Sequence, residues 1–252
     1  MSIVFIIIPI SGEPKLAMLS HENILATLKA LIDRRERTGN QTPINSRHCS
    51  FLPMAHLYER MNLMYFFLCG TQIACCPIIE RIFEYYAIIK PTTVSMVPRI
   101  LNKVYDTIMT EVNKSRVKRF LITQALHFER PSFFSNLVFR KVKNLFGGEV
   151  TIMITGSAPI TREVLHFFRI ALAAPIAEAY GQTESSAAGT VTHITDLSCG
   201  KVGPPGPVTE IKLIDVPNTN YRSNNNQGEI CIRGPIVFKG EFHMKMNHNT
   251  KI

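Results

Sequence analysis

Apolar residues early in the chain recur at helical spacing. Ile24, Leu28, Leu31 and Ile32 share one face of a helix predicted over 20–37, with Ser20 as its N-cap. A polar turn over 38–46 leads to an apolar run at 48–53 that reads as a buried strand. Helical patterning returns over 57–68, followed by a strand over 71–76 and a helix over 78–89. That helix stops at Lys90, because Pro91 disfavours helical geometry in the residue before it. A strand over 92–97 runs into Pro98, which suits the first turn of a helix striped by Ile100, Leu101, Val104, Ile108 and Val112. Further helical stretches precede a strand over 150–155, an amphipathic helix over 161–174 capped by Thr161, and a strand over 175–179. Strands alternating with helices predict an α/β fold of mainly parallel sheet layers flanked by helices. From Gly203 the pattern changes to β-rich segments at 210–215 and 229–233, separated by a polar loop or hairpin over 218–227. This divides the chain into an α/β part over 1–202 and a small β-rich portion over 203–252.

With 252 residues and 46% hydrophobic side chains, the chain is large enough for one or two lobes with a sizeable core. A formal net charge of +9 favours anionic partners such as ATP, coenzyme A phosphates or an acidic membrane surface. The basic residues are scattered and no nucleic-acid motif is present, so nucleic acid is not an expected partner. The basic run over 114–119, with Arg140, Lys141 and Lys143, reads as solvated helix faces, with membrane or coenzyme A contact as the alternative. Cys49, Cys69, Cys75, Cys76, Cys199 and Cys231 show no metal-type spacing; their apolar neighbours suggest reduced, buried thiols in a cytosolic setting. The apolar run over 3–10 lacks a basic flank and cleavage site and is too short to span a bilayer, which needs about 20 residues. The stretch over 61–77 is interrupted by Asn62, Gly70 and Gln72 and reads as a core helix followed by a strand. No transmembrane segment is expected.

The chemistry concentrates in two short runs, Ile154-Thr155-Gly156-Ser157-Ala158-Pro159 and Ala179-Tyr180-Gly181-Gln182-Thr183-Glu184. Each follows a predicted strand, and ligands of open α/β sheets sit at the carboxyl ends of strands. The small residues let a flat heterocycle approach the backbone. Tyr180 can stack on a base, Thr183 can bond a phosphate oxygen and Glu184 can hold Mg²⁺, which usually takes one or two carboxylates plus substrate phosphates. Each residue also has a plainer reading: a helix-capping Thr-Glu pair, a tyrosine packed at a strand end, a satisfied core histidine at His56. Glu59 and Arg60 read as the polar face of a helix. The run Thr155-Gly156-Ser157-Ala158-Pro159 lacks the second glycine of a hydrolase nucleophile elbow.

Together these runs resemble the adenylate-forming, AMP-binding superfamily, and within it the long-chain fatty acyl-CoA synthetases. The likeness extends in order through Leu52-Pro53-Met54-Ala55-His56, Met96-Val97-Pro98-Arg99, Gly200-Lys201-Val202-Gly203-Pro204-Pro205, Gly228-Glu229-Ile230 and Phe238-Lys239-Gly240. The resemblance implies activation of a long-chain fatty acid with ATP and Mg²⁺ to an acyl-adenylate and then a thioester with coenzyme A. It implies adenine stacking by Tyr180, with Gly156, Ser157 and Ala158 on the opposite side and Gly181, Gln182 and Thr183 in the nucleotide turn. It places Glu184 on the metal, His56 near the acyl carboxylate and Lys15 at a phosphate. It further implies peripheral contact with the cytoplasmic face of an intracellular membrane, the endoplasmic reticulum or the mitochondrial outer membrane. The alternatives are a catalytically dead nucleotide-binding or interaction fragment, and a ligase for aryl or short-chain acids.

Two departures stand out. Ser11-Gly12-Glu13-Pro14-Lys15-Leu16, followed by Ser20-His21, matches only the second half of the family's phosphate loop, and Ile6-Ile7-Ile8-Pro9-Ile10 replaces its hydroxyls and glycines. The family's ribose-binding Asp and Arg and its C-terminal domain would follow residue 252. The chain is therefore expected to be a fragment of the large N-terminal domain and inactive by itself.

Overall fold

The computed structural model describes residues 3–8, 15–37 and 45–242. The chain opens with strands β1 (Ile3–Ile8) and β2 (Lys15–Ser20), paired antiparallel so that Ile8 lies opposite Lys15. The sequence reading had no strand here, because it took the Lys15-Leu16 region as phosphate-loop backbone. The β-branched run Ile6-Ile7-Ile8 satisfies its hydrogen bonds on β2 instead. Ser11, Gly12, Glu13 and Pro14 lie outside the described residues.

Helix α1 (His21–Arg37) starts as expected: the Ser20 hydroxyl accepts from the Asn23 amide at 3.3 Å, while the Ser20 amide donates to Asn23 Oδ1 at 2.8 Å. Strand β3 (Arg47–Ser50), helix α2 (Leu57–Leu68) and strand β4 (Gln72–Cys75) form one βαβ unit with β3 and β4 parallel. The next helix begins as a 3₁₀ turn, Ile79–Arg81, before α3 (Ile82–Ile89); Lys90 then takes a left-handed conformation ahead of Pro91.

Strand β5 (Thr93–Met96) and helix α4 (Pro98–Asn113) follow, with Pro98 in the first turn and Leu101, Val104, Tyr105 and Val112 buried. The helical stretch beyond divides into α5 (Arg116–Leu126), α6 (Phe133–Val138) and α7 (Arg140–Leu145). Strand β6 (Ile152–Gly156), helix α8 (Arg162–Leu172) and strand β7 (Ile176–Tyr180) complete the central layer, and the Thr161 hydroxyl accepts from the Val164 amide at 3.4 Å to cap α8. Short β8 (Thr190–Val191) runs antiparallel to β7, giving the sheet order β5-β6-β7-β8. The Thr92 amide donates to the Arg47 carbonyl at 2.9 Å, which sets β3 beside β5. The parallel pattern holds from β3 to β7. Elsewhere pairing is antiparallel: β9 (Glu210–Ile214) with β10 (Glu229–Arg233), and β11 (Glu241–Phe242) with β2.

The core lies between α8, α4, α3 and the central sheet. Phe167 and Phe168 are fully buried, their rings 5.1 Å apart, and Phe139 and Tyr105 meet Phe167 edge-on at 5.2 and 5.1 Å. Each such side chain contributes about 1.5–3 kcal/mol by burial, and edge-to-face geometry adds to it. Cysteine burial is narrower than expected. Cys49 and Cys76 are buried, but Cys75 is exposed, because its place on β4 turns it outward. Burial pushes the Cys49 thiol up to about 12, with Cys76, Cys75 and Glu59 adding to the effect, so it stays protonated and unreactive.

Residues 235–240 return to the front of the molecule. Asn23 Nδ2 donates to the carbonyls of Pro235 and Val237, both at 2.8 Å, Ser186 Oγ donates to the Ile236 carbonyl at 2.7 Å, and Ile236 is fully buried.

Candidate functional site

Parallel pairing matches Ile154 with Ala177 and Gly156 with Ala179, so β6 and β7 end side by side. The turns that follow them therefore face one another. A Cβ on Gly156 would lie 2.8 Å from the Ala179 carbonyl oxygen, and one on Gly181 would lie 2.5 Å from the Ala187 carbonyl. Both turns thus require glycine for close backbone approach. Ser157 sits at φ 72°, a left-handed conformation that is costly for a side-chain-bearing residue and turns the chain sharply at the strand end.

After Gly181, the chain forms a 3₁₀ turn, Thr183–Ser185, pinned at both ends. The Gln182 amide donates to Ser185 Oγ at 3.2 Å, and the Gln182 carbonyl accepts from the Ser185 and Ala187 amides at 3.0 Å. From outside, the Phe238 amide donates to the Glu184 carbonyl at 2.8 Å. The Thr-Glu pair is thus fixed by backbone bonds, leaving both side chains free of capping duty.

These turns and the start of α2 enclose a cavity of about 290 Å³. His56, Gly156, Ser157, Gly181, Gln182 and Thr183 all line it. His56 is exposed, at the N-terminal boundary of α2, where its side chain makes no capping bond. Tyr180 and Glu184, both half-buried, and exposed Ala158 stand next to the lining residues in the chain without being part of the wall. For Lys15 the structure gives only its backbone place at the first position of β2.

Sequence reasoning missed Tyr58. Its ring lines this cavity and also a second, mostly carbon-walled cavity of about 230 Å³ between α1, α2 and the central sheet. Leu31, Met61, Phe66, Ile152 and Ile154 are among the second cavity's walls, and Ala179 and Ala187 are shared with the first. Burial beside the sheet raises the Tyr58 phenol to about 12, with Ser95 and Asn62 offsetting part of the effect, so it is a neutral hydroxyl at the junction. The only sequence signal was its spacing, two residues after His56.

Glu59 also departs from expectation. It is 1% exposed rather than on a polar face. The Ser50 hydroxyl donates to its carboxylate, and His48 Nε2 lies 3.8 Å from Glu59 Oε1. His48 is held in turn by the Thr93 carbonyl at 3.1 Å and stacks at 4.3 Å on Phe66. This buried group ties the first turn of α2, and therefore His56 and Tyr58, to the sheet. Arg60 donates to the Met54 carbonyl at 2.7 Å, closing the turn before α2.

The cavity wall presents hydroxyls, an amide and an imidazole around glycine-lined backbone, with Glu184 next to it in the chain, a set suited to a nucleotide and its phosphates. Among the described residues no group of three His, Cys, Asp or Glu side chains could hold a metal ion by itself. Mg²⁺ usually takes one or two carboxylates plus substrate phosphates, so it would need no such group.

The sequence profile of the AMP-binding enzyme family matches residues 11–241. The chain belongs to this family. Among curated relatives it is 40% identical over 241 residues to long-chain-fatty-acid–CoA ligase 5 of Rattus norvegicus, covering 91% of this chain and 35% of that protein. It is 36% identical to long-chain-fatty-acid–CoA ligase 1 of Homo sapiens, covering 91% and 34%. The crystal structure of a long-chain-fatty-acid–CoA ligase from Archaeoglobus fulgidus superposes with a TM-score of 0.62 at 19% identity, over 94% of this chain and 43% of that one. The adenylate-forming fold is therefore shared, and the chain spans about a third of the length of these curated relatives.

Proposed function

We propose that this chain forms part of a long-chain fatty acid–CoA ligase, which activates the acid with ATP and Mg²⁺ and passes the acyl group to coenzyme A. The observation that carries the reading is the pair of adjoining cavities. One carries Gly156, Ser157, Gly181, Gln182 and Thr183 beside Leu52, Leu57 and Val97, the other has mostly carbon walls with Arg34 and Asn62 among them, and Tyr58, Ala179 and Ala187 belong to both. An amphiphile with a carboxylate at one end and a long hydrocarbon at the other fits that junction, its head toward His56 and its chain toward Met61 and Phe66.

In this reading Tyr180 stacks on adenine, opposite Gly156, Ser157 and Ala158. Gln182 and Thr183 donate to phosphate oxygens, and Lys15 meets a further phosphate. His56 orients the acyl carboxylate for in-line attack on the α-phosphate; holding reactants in such geometry supplies much of the catalysis in phosphate chemistry. Glu184 would hold Mg²⁺, which would supply charge that neutralises the phosphates as pyrophosphate leaves. Membrane contact follows from the substrate, since long-chain acids partition into lipid. We place the protein at the cytoplasmic face of the endoplasmic reticulum or mitochondrial outer membrane. Among the described residues no helix is long and apolar enough to cross a membrane.

The test is a full-length version of the protein incubated with labelled palmitate, ATP, Mg²⁺ and coenzyme A, with thioester as the expected product. Turnover confined to acetate or benzoates would overturn the substrate class. A second reading, nucleotide binding without turnover, has one observation in its favour: Ile6, Ile7 and Ile8, which stand in place of the phosphate loop's hydroxyls and glycines, are paired in β1. ATP binding with no pyrophosphate release on any acid would select it.

A further inference from the structure

Neither α5 nor α6 lines either cavity. On α5, Ala125 is buried and Ile122 and Leu126 pack against the core. At about 100° per residue, Val117, Phe120 and Leu121 form a second apolar stripe on the other side of that helix, and all are exposed, Phe120 by 62%. The neighbouring α6 repeats the arrangement. It buries Ser135 and exposes Phe133, Phe134 and Leu137, with Phe133 88% accessible. Single exposed apolar residues are ordinary on a soluble surface; large ones grouped on two packed helices mark an interaction site.

The charge around this patch is mostly positive, with Glu129 and, near Lys118, Glu111 as its acidic neighbours. Exposed Arg116, Lys118 and Arg119 interleave with the α5 stripe, and exposed Arg140 and Lys141 open α7 directly after α6. None of the five forms an ion pair with a described residue. Glu129 is the one acidic residue between Lys114 and Gly148. Aromatic and aliphatic tips surrounded by unpaired cations fit the boundary between headgroups and acyl chains of an anionic bilayer, where the apolar groups enter lipid and the cations meet phosphate and carboxylate. Nucleic acid would satisfy the cations but leave Val117, Leu121 and Leu137 without partners.

We propose that the α5–α6 face is a peripheral docking surface for an anionic phospholipid bilayer. This rests on the membrane contact proposed above, gives it a location, and is independent of the nucleotide chemistry.

The experiment is flotation of the chain with phosphatidylcholine vesicles, with and without phosphatidylserine. The chain should float with the anionic vesicles, and less so as salt is raised. Phe120→Ser combined with Phe133→Ser, and separately Arg116→Glu combined with Arg119→Glu, should each weaken binding about tenfold or more. The native chain has no tryptophan, so Phe133→Trp adds a direct readout: its indole emission should shift to the blue on anionic vesicles. Equal partition into neutral and anionic vesicles, binding unaffected by either variant, or an indole emission that does not shift would each overturn the proposal. So would retention of duplex DNA, abolished by the charge reversal, in a chain that binds no vesicle. Thioester formation by the full-length protein, measured beside its flotation, separates the two readings. Its absence with vesicle binding intact removes the ligase reading alone, and the converse removes the docking surface alone.

Discussion

Helices α8 and α5 are both 11 residues long, both capped by a hydroxyl, and both amphipathic in sequence. Their fates differ. In α8 every residue from Val164 to Leu172 except His166 is buried, including Arg169, whose guanidinium donates to the Leu197 carbonyl at 2.8 Å and the Ile176 carbonyl at 3.2 Å. In α5 only Ala125 is buried; Ile122 and Leu126 pack half-buried against the core, while Val117, Phe120 and Leu121 face outward. Helical periodicity alone does not say which stripe finds the core. The helix that fills the space behind β6 and β7 holds the site's floor in place, while the outlying helix keeps a face free for a partner.

The sharpest way to break this contrast is a matched pair of truncations. Phe167→Ala should destabilise the chain by about 3–5 kcal/mol, since it removes a fully buried ring that touches Phe168, Phe139 and Tyr105. Phe120→Ala should stay within about 0.5 kcal/mol. Equilibrium denaturation of both variants checks the pair; similar losses would mean that Phe120 is itself packed in the core.

The contrast sharpens at the level of activity. In a full-length protein, Glu184→Gln and Thr183→Ala should each lower turnover roughly 100- to 1,000-fold, as expected for loss of one preorganised charge-stabilising group, while leaving vesicle flotation unchanged. The α5–α6 variants should do the reverse. A loss below about threefold for both site variants would show that the phosphate site lies elsewhere.

The smallest effect concerns Glu178, which lies on β7 beneath α8. Burial raises its carboxyl pKa, partly offset by Arg169. Folding therefore favours its protonated form. Its contribution to stability is complete below the ordinary carboxylate range and is lost as pH rises through the elevated value. Glu178→Gln should consequently gain thermal stability relative to the native chain at neutral pH and lose that gain in acid. Melting curves across that pH range test the sign, and an unchanged difference at all pH values would refute it.

Much of this was legible in the sequence. The bounds of α2 follow from the apolar spacing of 57–68, and the end of α3 and the start of α8 follow from Pro91 and Thr161. The two short runs with glycine and hydroxyl residues were readable as a pair because each follows a strand. Glu59 was misplaced because charge on a helix predicts solvent, and only the neighbours Ser50 and His48 make its burial tolerable. The β1–β2 pairing was missed because the likeness to a phosphate loop outweighed the strand propensity of three consecutive isoleucines.

Local chemistry by itself determined most helices, the strands of the central layer, many of the turns, and which residues carry groups that could meet phosphate or base. Those depend on spacing, on Pro and Gly backbone limits and on side-chain functional groups, all of which are written along the chain. Tertiary structure alone decided that β6 and β7 end in register, that Tyr58 belongs to two adjoining cavities, and that residues 235–240 clamp the Thr183–Ser185 turn. It also decided which of two similar amphipathic helices is enclosed. Such outcomes depend on contacts between residues far apart in sequence, where packing space and hydrogen-bond partners are shared, and no local pattern records how that competition ends.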